Sequence, residues 1–276
     1  MFNSIERLIS LRNLKPQKKE GFLKVISIFS FVGIMLGVAI LIIVMSVMNG
    51  FRADFTNKIL GFNSHVTIKS YDTAISEKFE IDLLDKYQDI KILKSFSSEA
   101  VIVLNEVIKG VLIKGVDIDE LGKNDFLKNN VIDGKIKNFK NGSIIIGKEL
   151  AFGLDIKVGD IINLMSSALI NTPIGGLPKQ ESYEVGALFD SGFYEFDQNV
   201  IFLNLKDTLL FFEKNTTDVS LEIYLKDPLL APKYKKEIEL MNSDYYIFSW
   251  EDLNKSFFSA LKVERNVMFL ILTLII

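Results

Sequence analysis

The 276-residue sequence contains no cysteine, which excludes disulfides, thiolate-bound zinc and thiol catalysis together. Its one histidine, His65, stands between Ser64 and Val66 at the head of an alternating stretch. That is the setting of a strand residue rather than of a ligand, so a histidine-based triad or metal cluster is set aside as well. Only five prolines are present, and two of them, Pro173 and Pro178, fall within one short stretch. A basic face is also missing. Residues 1–24 hold six Lys/Arg against two Glu, a net of +4 in a chain whose net charge is −3, so the remainder carries −7. An acidic remainder offers nothing to neutralise phosphates, and nucleic-acid binding is excluded on that ground.

What the sequence does have is a long apolar run. Residues 25–48, VISIFSFVGIMLGVAILIIVMSVM, carry no charge. At 1.5 Å per residue they make about 36 Å of helix, enough to cross a hydrocarbon core of roughly 30 Å with some tilt. The run is too long for the core of a cleaved signal peptide, and residues 46–49 offer no small-residue cleavage pattern. The basic flank precedes the run and the acidic bulk follows it, which predicts a cytoplasmic N-terminus and an exported main domain. Phe2, Ile5, Leu8 and Ile9 recur at helical spacing before Pro16 and predict a short interfacial helix. Gly33 and Gly37 form a small-xxx-small pair that would admit a neighbouring helix. A second apolar run, residues 267–276, is too short to span a bilayer and predicts the start of a second span, cut off by the end of the sequence.

The expected organisation is therefore a cytoplasmic amphipathic segment (1–21), a transmembrane helix (22–49), an exported domain (50–262) and the start of a second transmembrane helix (263–276). Short β-branched runs at 65–69, 100–104, 111–114, 161–164, 183–188, 200–203 and 220–225 predict strands. Segments 77–87, 147–152, 206–214 and 231–241 read as helices. The exported domain is thus of mixed α+β class, with room for two lobes.

One near-motif is rejected on chemistry. Gly142 to Glu149 has the spacing G-x-x-x-x-G-K of a phosphate-binding loop, but Glu149 occupies the position of the magnesium-binding hydroxyl. Ser143 to Ile146 reads as a strand rather than a loop able to cradle an anion, so Gly147 is expected to be a packing glycine. Neither Asp117, Asp119 and Glu120 nor Asp190, Glu195 and Asp197 has the partner or desolvation that acid/base catalysis needs, and no enzyme site or metal site is predicted. The most distinctive stretch is residues 166–182, SSALINTPIGGLPKQES, a hairpin between two strand runs. Its apolar Ile170, Ile174 and Leu177 would be poorly placed in water without a partner, which points to protein binding.

Four segments, in order, carry a resemblance. GIMLGVAILIIVMSVMNGF at 33–51, Gly147-Lys148-Glu149-Leu150-Ala151 with Val158-Gly159-Asp160, Gly192-Phe-Tyr-Glu-Phe-Asp197, and FSWEDLNKSFFSALKVERNVMFLILTLII at 248–276 are similar to motifs of the LolC/LolE family of lipoprotein-releasing permeases. This family is a branch of the FtsX-like and MacB-like permeases, and the resemblance covers the whole chain. It implies an inner-membrane subunit with four spans and a periplasmic domain between the first two. It also implies a second permease subunit, identical or paralogous, and a cytoplasmic ATPase dimer that holds the ATP and magnesium, this chain having no cofactor of its own. The implied substrates are lipoproteins, passed to a periplasmic chaperone.

In such a chain Thr172, Pro173, Ile174, Gly175, Gly176, Leu177 and Pro178 look like the hook that holds the chaperone, with Lys179 and Gln180 supplying polar contacts. Position 176 departs from the pattern, being Gly where a basic residue is expected. Met45, Val47, Met48 and Phe51, at the outer end of the first span, would line a cavity for lipoprotein acyl chains. A related permease for mechanotransmission or efflux, without lipoprotein extraction, is the alternative.

Overall fold

The computed structural model describes residues 5, 21–104, 107–117, 129–136, 139, 142–172 and 175–275. Two compact units result: Met1–Phe55 with Ser256–Ile276, and Thr56–Lys255. Helix α1 (Gly21–Phe62) begins in the first unit and runs unbroken for 42 residues, past residue 49 and through Arg52, Asp54 and Lys58. No proline interrupts it, and a helix already hydrogen-bonded along its axis need not stop where charge begins. Within it, Val25–Phe51 is long and apolar enough to cross a membrane, and nearly all its described side chains are exposed, as lipid-facing residues are. The interfacial helix expected before it lies outside the described residues, apart from Ile5, which is helical.

The second unit contains, in order, β1 (Val66–Ser70), α2 (Glu77–Lys86), β2 (Ile90–Leu104), β3 (Val107–Val116), β4 (Val131–Gly134), β5 (Ser143–Gly147), α3 (Lys148–Leu154), β6 (Ile161–Thr172), β7 (Gly175–Phe189), α4 (Tyr194–Asn199), β8 (Val200–Asn204), α5 (Leu205–Phe211), β9 (Ser220–Leu225), α6 (Ala231–Glu239), β10 (Tyr245–Ser249) and α7 (Trp250–Leu253). Helix α8 (Lys255–Ile275) follows. This is the α+β architecture read from the sequence. The expected strands are present, but β2, β3, β6 and β7 are much longer than their apolar runs, because pairing carries polar residues into the ladder. Local features still set the ends. In α2, for example, Ser76 caps the helix by accepting from the Phe79 amide, acidic Glu77 and Glu80 open the first turn, and Phe79 and Leu83 bury one face.

Strand β2 organises the sheet. Its first half, residues 90–95, pairs with β9, and the sheet continues through β1 to β10. Its second half, residues 95–104, pairs with β3, and the order then runs β3-β8-β5-β7. Strand β6 pairs with β7 and returns to β2, from Ala100↔Ser166 to Val103↔Asn163. Six strands, β2-β3-β8-β5-β7-β6, therefore close on themselves as a barrel. Each contributes an inward side chain with no solvent exposure: Ile102, Ile113, Ile201, Ile144, Val185 and Leu164. Leu150 of α3 and Phe211 of α5 complete this core. Full burial of each such side chain stabilises by about 1.5–3 kcal/mol. The two lobes anticipated from the sequence are this barrel and the four-stranded sheet β10-β1-β9-β2, with β2 shared by both.

A buried polar network sits where the lobes meet. Glu222 of β9 and Lys114 of β3 form an ion pair at 2.7 Å, with side chains only 9% and 10% exposed. Ser95 Oγ of β2 donates to Glu222 Oε1 at 2.7 Å and Tyr224 OH donates to Oε2 at 2.7 Å. Burial pushes the Glu222 carboxyl upward, but the Lys114 charge and the hydrogen bonds from Lys114, Ser95 and Tyr224 outweigh it and hold the carboxyl below its ordinary range. His65 is likewise structural: its Nδ1 accepts from the Leu225 amide at 2.8 Å, and its carbonyl accepts from the Trp250 amide at 3.1 Å.

The chain's single tryptophan, Trp250, is 1% exposed and donates from Nε1 to the Pro228 carbonyl at 2.9 Å, so its fluorescence reports unfolding of this unit. Lys114→Met should destabilise by about 3 kcal/mol by stranding a buried carboxylate, whereas Lys114→Met with Glu222→Leu should recover most of that loss; urea titration read at Trp250 checks both. Asp252 gives a pH dependence. Burial raises its carboxyl, but hydrogen bonds from Lys235 and from the amide and hydroxyl of Ser249 hold it at about 2. A depressed carboxylate stabilises the fold above its unfolded value near 4 and loses that contribution as pH falls toward 2. Asp252→Asn should therefore flatten the stability curve between about pH 4 and pH 2 and lower stability at pH 7 by about 1 kcal/mol, as measured by fluorescence-detected melting.

Candidate functional site

The stretch read as a hook is a two-stranded ribbon rather than a loop. β6 and β7 stay paired from Ile161↔Glu184 out to Thr172↔Gly175. Pro173 and Ile174, at the tip, lie outside the described residues, and Gly175 leaves the tip with φ +121°, a left-handed region that favours glycine. Pro178 pairs opposite Leu169, in a segment where, among the described strands, β7 pairs with β6 alone. A proline lacking the ladder donor is tolerated on such an edge.

The ribbon breaks its register once. Met165 faces Gln180 and Leu169 faces Pro178, so β6 spends two more residues than β7 over residues 166–168. The cause lies in β2. Its edge beside β6 is taken at residues 90–95 by β9, so β6 must leave after Ser166, and the bulge bends it away. The outer half of the ribbon thus stands clear of the barrel, with Leu169 62% exposed and Leu177 49% exposed on opposite faces.

The base of the ribbon is tied down. Lys179 Nζ donates to the Leu210 carbonyl of α5 at 2.8 Å and pairs with Glu181 at 2.8 Å. Tyr183 OH donates to Glu181 Oε2 at 2.6 Å. Burial raises the Glu181 carboxyl, but the hydrogen bonds from Lys179 and Tyr183 leave it below its usual range. Burial and the Glu181 charge push the Tyr183 phenol up. Gln180 meets the Met165 sulfur at 3.5 Å. Lys179 and Gln180, expected as contacts for a partner, thus serve the ribbon itself. At Gly176 a Cβ would lie 3.2 Å from Leu169, so a larger residue there would press on the exposed leucine. Leu169 was missed in the sequence: it precedes the proline-glycine segment, and the hairpin register, Asn171↔Gly176 to Leu169↔Pro178, brings it beside Gly176.

The near-motif at Gly142 is structural. A Cβ on Gly147 would lie 1.9 Å from the Asp197 carbonyl oxygen, so α4 packs directly on the glycine. Lys148 donates to Asp190 at 2.7 Å, and both oxygens of Asp197 accept from the Ser191 amide at 2.9 and 3.1 Å. Hydrogen bonding from Lys148 holds Asp190 low, while burial raises Asp197. The segments Gly147–Ala151 and Gly192–Asp197 quoted in the sequence are therefore two sides of one contact.

Along α1, Gly37, Met48 and the buried Leu41, 6% exposed, form one stripe withdrawn from solvent. Met45 borders the stripe; Val47 and Phe51 are exposed. A Cβ on Gly33 would meet nothing within 4 Å.

A model of the MacB-like periplasmic core domain matches residues 27–240. The lipoprotein-releasing system transmembrane protein LolC of Buchnera aphidicola (subspecies Acyrthosiphon pisum) is 30% identical over 281 residues, covering 99% of this chain and 68% of the relative. The chain belongs to the LolC/LolE family. A LolC of Xylella fastidiosa is 28% identical over 280 residues, covering 100% of this chain and 68% of the relative. Among solved structures, the periplasmic region of MacB from Actinobacillus actinomycetemcomitans covers 73% of this chain and 95% of its own, with 10% identity and a TM-score of 0.44. Membership in the LolC/LolE family identifies a permease component, a non-catalytic subunit, with one apolar helix ahead of a periplasmic-type domain.

If Lys179 anchors the ribbon, Lys179→Met should speed amide exchange across residues 169–178 about tenfold, while the Trp250-detected melting temperature changes by no more than about 2 °C. Hydrogen-exchange mass spectrometry with a parallel melt checks this.

Proposed function

We propose that this chain is the membrane-anchored part of a lipoprotein-releasing permease that offers the β6–β7 ribbon to a periplasmic lipoprotein chaperone. The observation that carries the reading is the ribbon: apolar Leu169 and Leu177 stand in solvent on a paired, bulge-directed arm whose base is fixed by Lys179 to α5, in a member of a family whose relatives are named for lipoprotein release. Exposed apolar side chains on a held arm are suited to insertion into a partner's groove.

The rest of the reading follows the chemistry. Residues 1–24 lie in the cytoplasm and the β-rich unit in the periplasm of an inner-membrane, multi-pass assembly. A lipoprotein's acyl chains are held in the bilayer by about 0.8 kcal/mol per buried methylene, so release needs an energy source. A separate cytoplasmic ATPase dimer, binding ATP and magnesium, supplies it, and a second permease subunit, identical or paralogous, completes the pore. Met45, Met48 and Phe51, with Val47, face the acyl chains. The small-residue pair Gly33 and Gly37 receives a neighbouring helix. The mechanotransmission or efflux alternative is less favoured, because neither role needs the ribbon.

The test is calorimetric titration of the full chain in nanodiscs with the purified chaperone. Leu169→Asp with Leu177→Asp should weaken binding at least tenfold, about 1.4 kcal/mol. Equal affinity for the double variant and the parent would sink the proposal.

A further inference from the structure

The open sheet carries both of its helices on one face. β1 and β2 run parallel with β9 between them, and β9 and β10 run parallel with β1 between them. Helices α2 and α6 are therefore two interleaved crossovers, and the right-handedness of such connections places them side by side. They lie antiparallel, because β1 and β9 do. Tyr87, which closes α2, meets Tyr234 of α6 at 4.9 Å between ring centroids and donates from its hydroxyl to Glu237 Oε2 at 3.0 Å. Phe79 and Leu83 of α2 are buried, as are Ala231 and Ile238 of α6, and these positions fix the outward side of each helix.

The two outward ridges differ in charge. Opposite its buried pair, α2 presents Glu77, Ile81 and Asp85, whereas α6 presents Lys233 and Lys236 and ends on Leu240. Ile81 is 56% and Leu240 89% exposed. Among the described residues no ion pair engages Glu77, Asp85 or Lys236, and Lys233 has only a 3.8 Å contact with Glu237 of its own helix. The other charges sit to the sides. Glu80 turns to Lys94 at 2.8 Å, Lys86 lies over the Tyr87 ring, and Glu239 lies 3.6 Å from Lys235, which also holds Asp252. Lys78 and Asp82 flank the α2 ridge and are exposed.

An acidic ridge beside an antiparallel basic one makes a face that is complementary to itself. Turned about a twofold axis parallel to the helices, a second copy lays its α2 on α6 of the first and its α6 on α2 of the first. Acid then meets base at both contacts, and Ile81 and Leu240 leave water together. A partner of one sign would leave one ridge opposed by like charge. We infer that the second permease subunit is another copy of this chain, and that the two copies meet through the α2–α6 face. This inference rests on the reading above that a second permease subunit completes the assembly. Two chains anchored in one bilayer are held at high effective concentration, so a small face suffices.

The sequence has no cysteine, so introduced thiols report alone. Full chains in detergent micelles, one tag carrying Ile81→Cys and a second tag carrying Leu240→Cys, are mixed and treated with a bismaleimide. An adduct between the tags is expected, and none when Phe152→Cys, on the barrel and 87% exposed, replaces Leu240→Cys. Glu77→Lys with Asp85→Lys should cut the yield at least tenfold. Adding Lys233→Glu and Lys236→Glu to the same chain should restore it, since the ridges match again with their signs exchanged. Trp250 fluorescence confirms that each variant is folded, and sedimentation equilibrium separates the failures. A dimer that gives no adduct between positions 81 and 240, gives as much at position 152, or ignores the charge reversal overturns the face and leaves the second-subunit reading standing. A chain that stays monomeric overturns the identity of the two subunits as well, and the chaperone titration of the ribbon is independent of either result.

Discussion

The ion pair between Lys114 and Glu222 is the constraint around which this domain is arranged. It joins β3 of the barrel to β9 of the open sheet across β2, whose Ser95 supplies a further hydrogen bond. Two charges buried together are stabilising only when every lone pair and proton is used. Here Lys114, Ser95 and Tyr224 all converge on one carboxylate. The geometry therefore admits one relative register of β9, β2 and β3, since a one-residue slip would turn Glu222 or Lys114 to the other face.

That register decides where the β6–β7 arm points. Because β9 holds one edge of β2 up to Ser95, β6 can use that edge only from Ala100 onward. It must then bulge out at residues 166–168, and the β6–β7 ribbon leaves the barrel as a free arm. Lys179 and Glu181 finish the arrangement by tying the ribbon's base to α5. Lys179 and Gln180 thus carry contacts within the ribbon and to α5, while Leu169 and Leu177 stand exposed on its outer half.

Much of this was legible in one dimension because it depends on local chemistry. The uncharged run from Val25 has the length of a bilayer whatever the rest of the chain does, and the charge asymmetry around it needs no tertiary contact to be read. The helix beginning at Glu77, the strand read at Ser143 to Ile146 and the failure of Glu149 as a magnesium ligand are equally local. The order of the four motifs carried the family resemblance for the same reason.

What the sequence by itself determined, then, is the apolar helix, the α+β class, the strand setting of His65, and the place of a proline-glycine hairpin. The tertiary structure alone decided that six strands close into a barrel, that Gly147 is held by the backbone of Asp197 rather than by a phosphate, and that Leu169 joins the exposed end of the ribbon. The physical reason is range. Hydropathy, caps and turn residues act over a few positions, whereas strand pairing and the burial of Lys114 against Glu222 join residues far apart in sequence, 108 positions for that pair. Their outcome depends on which edges and faces other strands have already occupied.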